Sequence, residues 1–203
     1  MMEHENKNRN SNDLLRRIII AVLLIIMIAS AISLVKEWMD AAAQRRLEES
    51  LAEAAKQTET EPPETEKETE AETEAPYVSP IDFTPLLETN PDTIGWIRVP
   101  DTKIDYPIVQ SPDNQYYLHK DFEGKDSVYG AIYLDADSKS DFSGWNNPIY
   151  GHHMKDGSMF KDVVKFKDQD FFENHRYFEI YTPERTIHLK TLGCYYSDSN
   201  GIV

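Results

Sequence analysis

Residues 94–110 read Ile-Gly-Trp-Ile-Arg-Val-Pro-Asp-Thr-Lys-Ile-Asp-Tyr-Pro-Ile-Val-Gln, and this stretch decides the fold class. Two runs rich in β-branched and aromatic residues, Ile94 to Val99 and Lys103 to Val109, flank the dipeptide Pro100-Asp101. The second run is apolar at every other position from Ile104 to Ile108, which is the period of two of a half-buried strand. Proline and aspartate favour a turn between such runs. The stretch therefore predicts a β-hairpin.

The chain from residue 81 onward repeats this pattern of short apolar runs between turn residues. Further strands are predicted at 130–134, 148–150, 176–181 and 185–196, the last with a bulge at Gly193. Short helices are predicted at 83–87, at 113–119, after a Ser158 cap, and after an Asp168 cap around Phe171 and Phe172. Many short strands with a few peripheral helices are typical of a β-barrel or sandwich, so we expect a mainly β domain over residues 81–203.

The N-terminal part of the chain is expected to anchor the protein in a membrane. Ile18 to Val35 carries no charged residue and is about as long as the shortest spanning helix. Basic residues in the preceding tail favour a cytoplasmic N-terminus. We predict a cytoplasmic tail at 1–17, a transmembrane anchor at 18–38 and an extracellular remainder. A signal peptide cleaved at Ala29-Ser30-Ala31 or Ala41–Ala43 is the alternative, but the apolar run is longer than signal peptides use.

Residues 39–80 are predicted to form a stalk followed by a disordered acidic linker. The first part is rich in Ala, Glu and Arg, which permits the membrane helix to continue outward as far as Gln57. Residues 58–76 are almost entirely Thr, Glu, Pro and Ala, which cannot form a core and remain extended by charge repulsion. We interpret this run as a solvated tether; a recognition surface for a basic partner is the alternative.

Composition excludes several classes of function. The chain has a net charge of −15 and lacks the clustered Lys and Arg that neutralise phosphates, so no nucleic-acid partner is expected. It has one cysteine in a domain predicted to lie outside the membrane, so no internal disulfide can support the fold. No spacing typical of metal ligands recurs, and we expect neither a metal nor a cofactor.

Residues 147–160, Asn-Pro-Ile-Tyr-Gly-His-His-Met-Lys-Asp-Gly-Ser-Met-Phe, contain the candidate catalytic residue. A short strand runs into a Gly-His turn, which presents His152 at the end of the strand. An imidazole titrates near neutral pH and can therefore take or give a proton in service of a nucleophile. On chemistry alone, a lone histidine in a turn is more often structural than catalytic.

A metal hydrolase built on His152, His153 and the carboxylates of Asp135 or Asp137 is a weaker alternative. Adjacent histidines on an extended chain point in opposite directions, so His152 and His153 could not easily hold one ion.

Three parts of the sequence, taken together, resemble the class B sortases. They are Trp-Ile-Arg-Val-Pro at 96–100 with Thr-Lys-Ile-Asp-Tyr-Pro-Ile-Val-Gln at 102–110, Asp-Asn-Gln-Tyr-Tyr-Leu at 113–118, and Tyr-Gly-His-His-Met at 150–154. Their order, their spacing and the N-terminal anchor match that family, and the resemblance covers residues 81–203. It implies an eight-stranded β-barrel with additional N-terminal helices.

The resemblance also implies an activity. Class B sortases are cysteine transpeptidases on the outer face of the membrane. They cleave a C-terminal sorting signal of the Asn-Pro-x-Thr-x type after Thr and hold the surface protein as a thioester. They then transfer it to an amine of the peptidoglycan cross-bridge or its lipid-linked precursor, or to pilin.

Site residues follow from the same resemblance. His152 matches the family histidine that protonates the leaving amine. Asn114 and Leu118 match positions that line the sorting-signal groove, and Ser199 falls near a third such position. Core packing is the alternative interpretation of Leu118, and a surface helix position is the alternative for Asn114.

The sequence departs from the family at the nucleophile. The family cysteine lies on a Thr-Leu-x-Thr-Cys strand far downstream of the histidine, and a later strand carries an arginine. Thr191-Leu192-Gly193-Cys194 lacks the second Thr, and no arginine follows it. We therefore interpret Cys194 as a small buried apolar residue.

From this departure we expect that the chain is truncated at its C-terminus, that the last barrel strands are missing, and that the 203 residues are inactive as given. A reading frame that continues past Val203 with Leu-x-Thr-Cys and a later Arg would restore the enzyme. The alternative is a catalytically inactive, membrane-tethered sortase-like binding module.

Overall fold

The computed structural model describes residues 2–56 and 77–195, with side chains from residue 16 onward. Most of the predicted acidic linker, and Ser199 near the C-terminus, lie outside the described residues. The chain divides into two compact units, Met1–Ala43 and Gln44–Val203. The domain boundaries predicted from the sequence remain predictions.

One long helix forms the N-terminal part of the structure. Helix α1 runs from Met2 to Lys56 and includes the whole uncharged run. By length and composition it can cross a membrane, and within the described structure the side chains at 18–35 are exposed. The predicted continuation of this helix toward Gln57 is also confirmed.

Six short strands form a mixed sheet that curls into a half-barrel, which confirms the mainly β prediction. The strands are β1 (Thr93–Arg98), β2 (Asp105–Val109), β3 (Ile132–Leu134), β4 (Ile149–Tyr150), β5 (Tyr177–Tyr181) and β6 (Thr186–Lys190). The helices besides α1 are α2 (Thr84–Thr89), a 3₁₀ helix (Phe160–Lys167) and α3 (Gln169–Asn174).

The strand order is β4-β3-β2-β1-β5-β6. β1 and β2 pair antiparallel, with Ile97 opposite Tyr106, so the predicted hairpin is confirmed. β2 and β3 are parallel neighbours, whereas the other pairs are antiparallel. β4 and β6 are the two edges of the sheet within the described residues.

The sheet separates two apolar regions, because successive side chains of a strand point to opposite faces. Trp96 is 1% exposed and packs in the main core, whereas its neighbour Ile97 lines an open groove on the other face. The main core combines residues of α1, of the α2 region and of the sheet: Leu51, Ala55, Phe83, Leu86, Trp96, Val109, Tyr133 and Tyr181.

The last three turns of α1 belong to the compact unit that contains the sheet. Ala55 is 2% exposed, and its carbonyl oxygen accepts a hydrogen bond from the Asp82 backbone N–H at 3.4 Å. Gln44 is buried, and its Nε2 lies 3.8 Å from the sulfur of Met159. These contacts hold the end of the helix against the β domain.

Glu48 is a half-buried carboxyl group at this contact. Gln44 Nε2 donates to Glu48 Oε1 at 3.0 Å, and the Tyr106 side chain hydrogen-bonds the same carboxyl group. Burial, with a contribution from the negative charge of Asp156, raises the pKa of Glu48 above its usual 4.5, although the two hydrogen bonds and the charge of Lys103 oppose that change.

Glu48→Gln is expected to stabilise the fold by roughly 0.5–1 kcal/mol at neutral pH. A pKa that is higher in the folded state means that ionised Glu48 weakens folding once the pH rises above 4.5. The gain should therefore disappear at lower pH, where the carboxyl group is protonated in both states. Urea unfolding of the detergent-solubilised chain, at acidic and at neutral pH, measures the difference in free energy of unfolding between the two chains. Glu49→Gln, at an exposed neighbour, is the control, and an equal gain at acidic and neutral pH would contradict the assignment.

The helix predicted at 113–119 is wrong, because the segment consists of turns. Asp113 Oδ1 accepts from the backbone N–H groups of Gln115 and Tyr116, each at 2.8 Å. Further along, the Tyr117 carbonyl accepts from the Ala131 N–H at 2.9 Å. Local side-chain bonds and this long-range backbone bond together replace the helical pattern.

The two predicted helix caps differ in outcome. Asp168 caps α3, because its Oδ1 accepts from Phe171 N at 2.9 Å. Ser158 does not cap the 3₁₀ helix, since its Oγ donates to Asp156 Oδ1 at 2.7 Å and Met159 occupies the cap position.

The last strand is shorter than predicted. β6 ends at Lys190, which pairs with Tyr177, the first residue of β5. One more backbone bond follows, from the Thr191 N–H to the Arg176 carbonyl at 2.7 Å, but residues 191–195 form no strand. The predicted extension to 196 and the bulge at Gly193 are therefore wrong as far as the structure describes the segment.

Candidate functional site

The candidate catalytic histidine lies directly after β4. Gly151 connects them in a space that no side chain can occupy: a Cβ there would lie 2.4 Å from Ile132 Cδ1 and 2.8 Å from Phe160 Cδ2. The Phe160 N–H donates to the His152 carbonyl at 2.9 Å. The glycine and this bond hold the turn against β3 and the start of the 3₁₀ helix.

The imidazole of His152 is half-buried and bonded to the backbone of a neighbouring loop. Its Nε2 lies 2.9 Å from the carbonyl oxygen of Leu118. Two residues assigned to the site from the sequence, His152 and Leu118, are thus in contact. His153 is exposed, and its backbone pairs with Met159. The ring of His152 is therefore fixed at its Nε2 edge.

Asn114 lies in a polar network beside β4. Its Nδ2 donates to Asp135 Oδ2 at 2.8 Å, and its Oδ1 accepts from Ala136 N at 2.8 Å. The Tyr150 hydroxyl donates to the same Asp135 oxygen at 2.9 Å. Burial acts to raise the pKa of Asp135, but hydrogen bonds from the Asp137 N–H, Tyr150 and Asn114 outweigh it and hold that pKa below its usual value.

This network connects Asn114 to Tyr150, two residues before His152. Sequence reasoning identified Asn114 but not its partner Asp135 in this role. The only signal was that Asp135 follows a predicted strand, which many structural aspartates do. Asn114 is joined to the candidate site through the loop that follows β3.

An apolar groove of about 500 Å³ lies on the face of the sheet opposite the main core. It is lined by residues of β1, β5, β6 and the 3₁₀ helix, among them Ile97, Val163, Phe166, Ile180, Ile187 and Leu189. Trp145 also lines it and is fully exposed. Unpaired strand edges border this apolar face among the described residues.

Cys194 lies at this groove and is exposed, so the interpretation of it as a buried residue is wrong. The chain has left β6 four residues earlier, and no strand covers the thiol within the described residues. Its Sγ is 3.8 Å from the Val163 carbonyl oxygen. Phe160, whose N–H donates to the His152 carbonyl, lines the same groove as Cys194.

The described residues contain no group of three or more His, Cys, Asp or Glu arranged to hold a metal ion. Asp135 is engaged by Asn114 and Tyr150, and His152 is engaged by a backbone carbonyl.

Curated proteins of two organisms are similar to this chain. Sortase B of Listeria monocytogenes is 47% identical over 90 residues, covering 44% of this chain and 37% of the relative. Sortase B of Staphylococcus aureus is 34% identical over 97 residues, covering 48% and 40% respectively. The matches thus span well under half the length of either relative. No family model matches the chain.

Solved structures extend the similarity over more of the chain. Sortase B from Bacillus anthracis in complex with AAEK1 has a TM-score of 0.61 at 33% identity, covering 79% of this chain and 73% of that one. A class B sortase of Streptococcus pyogenes involved in pilus biogenesis has a TM-score of 0.52 at 35% identity, covering 54% and 60%.

Proposed function

Because this chain belongs to the class B sortases, we propose that it supplies the membrane anchor and the proton-transferring histidine of a sortase-type transpeptidase. The proposed substrate is a surface protein with a C-terminal sorting signal of the Asn-Pro-x-Thr-x type. The proposed acceptor is an amine of the peptidoglycan cross-bridge, of its lipid-linked precursor, or of pilin. The observation that supports the proposal is His152, fixed at its Nε2 edge at the end of β4.

The chemistry proposed for His152 is that of a general acid. A thiolate attacks the carbonyl carbon of Thr, the C–N bond breaks, and the leaving amine nitrogen takes a proton from the imidazolium. The acceptor amine then attacks the thioester carbonyl, the C–S bond breaks to release the thiolate, and the neutral imidazole takes the proton that the amine loses. A half-buried ring held by a backbone carbonyl suits this task, since it cannot rotate away from the substrate.

Leu118, Asn114 and Ser199 remain proposals as substrate-binding residues. Leu118 is supported by its position beside His152. Asn114 has both amide atoms engaged within the protein, so we propose that it shapes the groove through the loop after β3 rather than by binding the peptide directly.

We propose that Cys194 is not the nucleophile. It is the only cysteine of the 203 residues, but the segment Thr191-Leu192-Gly193-Cys194 lacks the second Thr of the family strand and no arginine follows it. The incomplete match of this segment to the family's nucleophile strand also supports the second candidate function, a tethered sortase-like module that binds a peptide without cleaving it.

A chimera separates the two functions. In it, residues 81–190 replace the corresponding segment of Listeria monocytogenes sortase B, which keeps its own thiol, so Cys194 is absent. We expect thiol-dependent cleavage of a quenched Asn-Pro-x-Thr-x peptide by the chimera, and no covalent adduct of that peptide with the 203-residue chain. A folded chimera that binds the peptide but does not cleave it would support the binding module. An adduct at Cys194 that requires His152 would contradict the assignment of the nucleophile.

The membrane orientation is part of the proposal. We propose that residues 1–17 lie in the cytoplasm and that the β domain lies on the outer face, because the basic residues of the tail resist translocation. Helix α1 is long and apolar enough to serve as the anchor.

A further inference from the structure

The bond between His152 and Leu118 determines which ring nitrogen is free. A backbone carbonyl only accepts hydrogen bonds, so the Nε2 atom 2.9 Å from it must carry a proton. The other nitrogen, Nδ1, has no hydrogen-bond partner among the described residues. In the neutral ring Nδ1 is therefore the lone-pair nitrogen, and in the charged ring it carries the transferable proton.

The Leu118 carbonyl is itself held in place by bonds on either side of it. The Tyr117 carbonyl accepts from Ala131 N at 2.9 Å, and the His119 carbonyl accepts from Ser127 N at 2.9 Å. Because both adjacent peptide groups are tied to the segment that precedes β3, the carbonyl between them has little freedom to turn.

Gly130 makes the close approach of this loop to His152 possible. Its φ of +60° lies in the left-handed region that favours glycine. A Cβ at this position would lie 2.9 Å from the Leu118 carbonyl oxygen and 3.2 Å from His152 Cδ2, which are the two sides of the hydrogen bond. It would also lie 2.6 Å from the Tyr117 carbonyl oxygen. A side chain here would therefore press on the acceptor and on the ring, and the loop would have to shift.

We propose that Gly130 and the Leu118 carbonyl are positioning elements that hold His152 in the Nε2–H tautomer, so that Nδ1 is the atom that exchanges protons with the substrate. This inference rests on the proposed function for its catalytic meaning. The tautomer and its dependence on Gly130 stand on the geometry alone. Leu118 then acts on His152 through its backbone, whatever its side chain contributes to substrate binding.

The test uses the full chain in detergent, labelled with ¹⁵N-histidine. Long-range ¹H–¹⁵N correlation spectra identify the protonated nitrogen of each neutral ring, and the His152 signal is recognised by its absence in His152→Gln. We expect a proton on Nε2 and none on Nδ1, with an Nε2–H signal that persists in water. A neutral His152 with its proton on Nδ1 would overturn the proposal without any variant.

Two variants test the positioning elements. Gly130→Ala is expected to lose the persistent Nε2–H signal of His152. Gly124→Ala is the matched control, because Gly124 also has a positive φ, +79°, but its nearest neighbour is the Tyr116 hydroxyl. Leu118→Ala should retain the signal, because the acceptor is a backbone oxygen. A folded Gly130→Ala that keeps the signal, or a folded Leu118→Ala that loses it, would overturn the proposal.

The outcome is distinct from that of the proposed function. If the spectra contradicted the predicted tautomer, peptide cleavage by the chimera would still count as evidence for a transpeptidase. A correct tautomer combined with a folded, inactive chimera would instead contradict the transpeptidase and leave the positioning of His152 intact.

Discussion

Replacing His152 with alanine is expected to lower sorting-peptide cleavage by the chimera by about 10²–10⁴-fold, the range typical of losing a general acid or base. The loss should appear mainly in kcat, because the imidazole acts on the leaving amine rather than on the bound peptide. The measurement is steady-state cleavage of the quenched peptide.

His153→Ala is the matched control for this prediction. His153 is the next residue, but its side chain is exposed and its backbone pairs with Met159, so cleavage should stay within about twofold of the unaltered chimera. If His152→Ala retained activity within tenfold while remaining folded, His152 would have a structural role only.

Trp96→Ala is expected to destabilise the β domain by about 3–5 kcal/mol, a large fraction of the stability of an ordinary domain. Trp96 is 1% exposed on the central strand β1, inside the main core. Its Nε1 also donates to Asp105 Oδ1 at 2.6 Å, so the substitution leaves a cavity and removes a hydrogen bond. Urea unfolding of the detergent-solubilised chain, followed by circular dichroism, measures the change.

Trp145→Ala removes the same side chain from a fully exposed position and serves as the control. We expect a change within about 0.5 kcal/mol, because no core contact is lost. Equal destabilisation by the two substitutions would show that the loop around Trp145, rather than the packed sheet, limits stability.

Local pattern was sufficient for the hairpin and for the long helix. Alternation between Ile104 and Ile108 needs only a strand with one buried face, and an uncharged run such as 18–35 favours a helix wherever it lies. The position of His152 at a strand end was predictable for the same reason, since Gly151 and the preceding apolar residues mark where the strand stops.

Local pattern failed where distant groups competed for the same backbone. At 113–119 the Ser-Pro start predicted a helix, but the Asp113 side chain and the Ala131 N–H take the backbone groups that a helix would use. At Cys194 an apolar alternation predicted a buried strand, whereas β6 ends at Lys190, opposite the first residue of β5, and among the described residues the thiol is exposed.

The sequence by itself determined the fold class, the apolar helix and the position of His152 at a strand end, because each depends on residues close together in the chain. Only the tertiary structure decided the parallel pairing of β2 with β3, the engagement of Asn114 with Asp135, and the contact of His152 with the Leu118 carbonyl. These features join segments that are far apart in sequence, and the free energy that selects them comes from backbone hydrogen bonds and packing that no local period encodes.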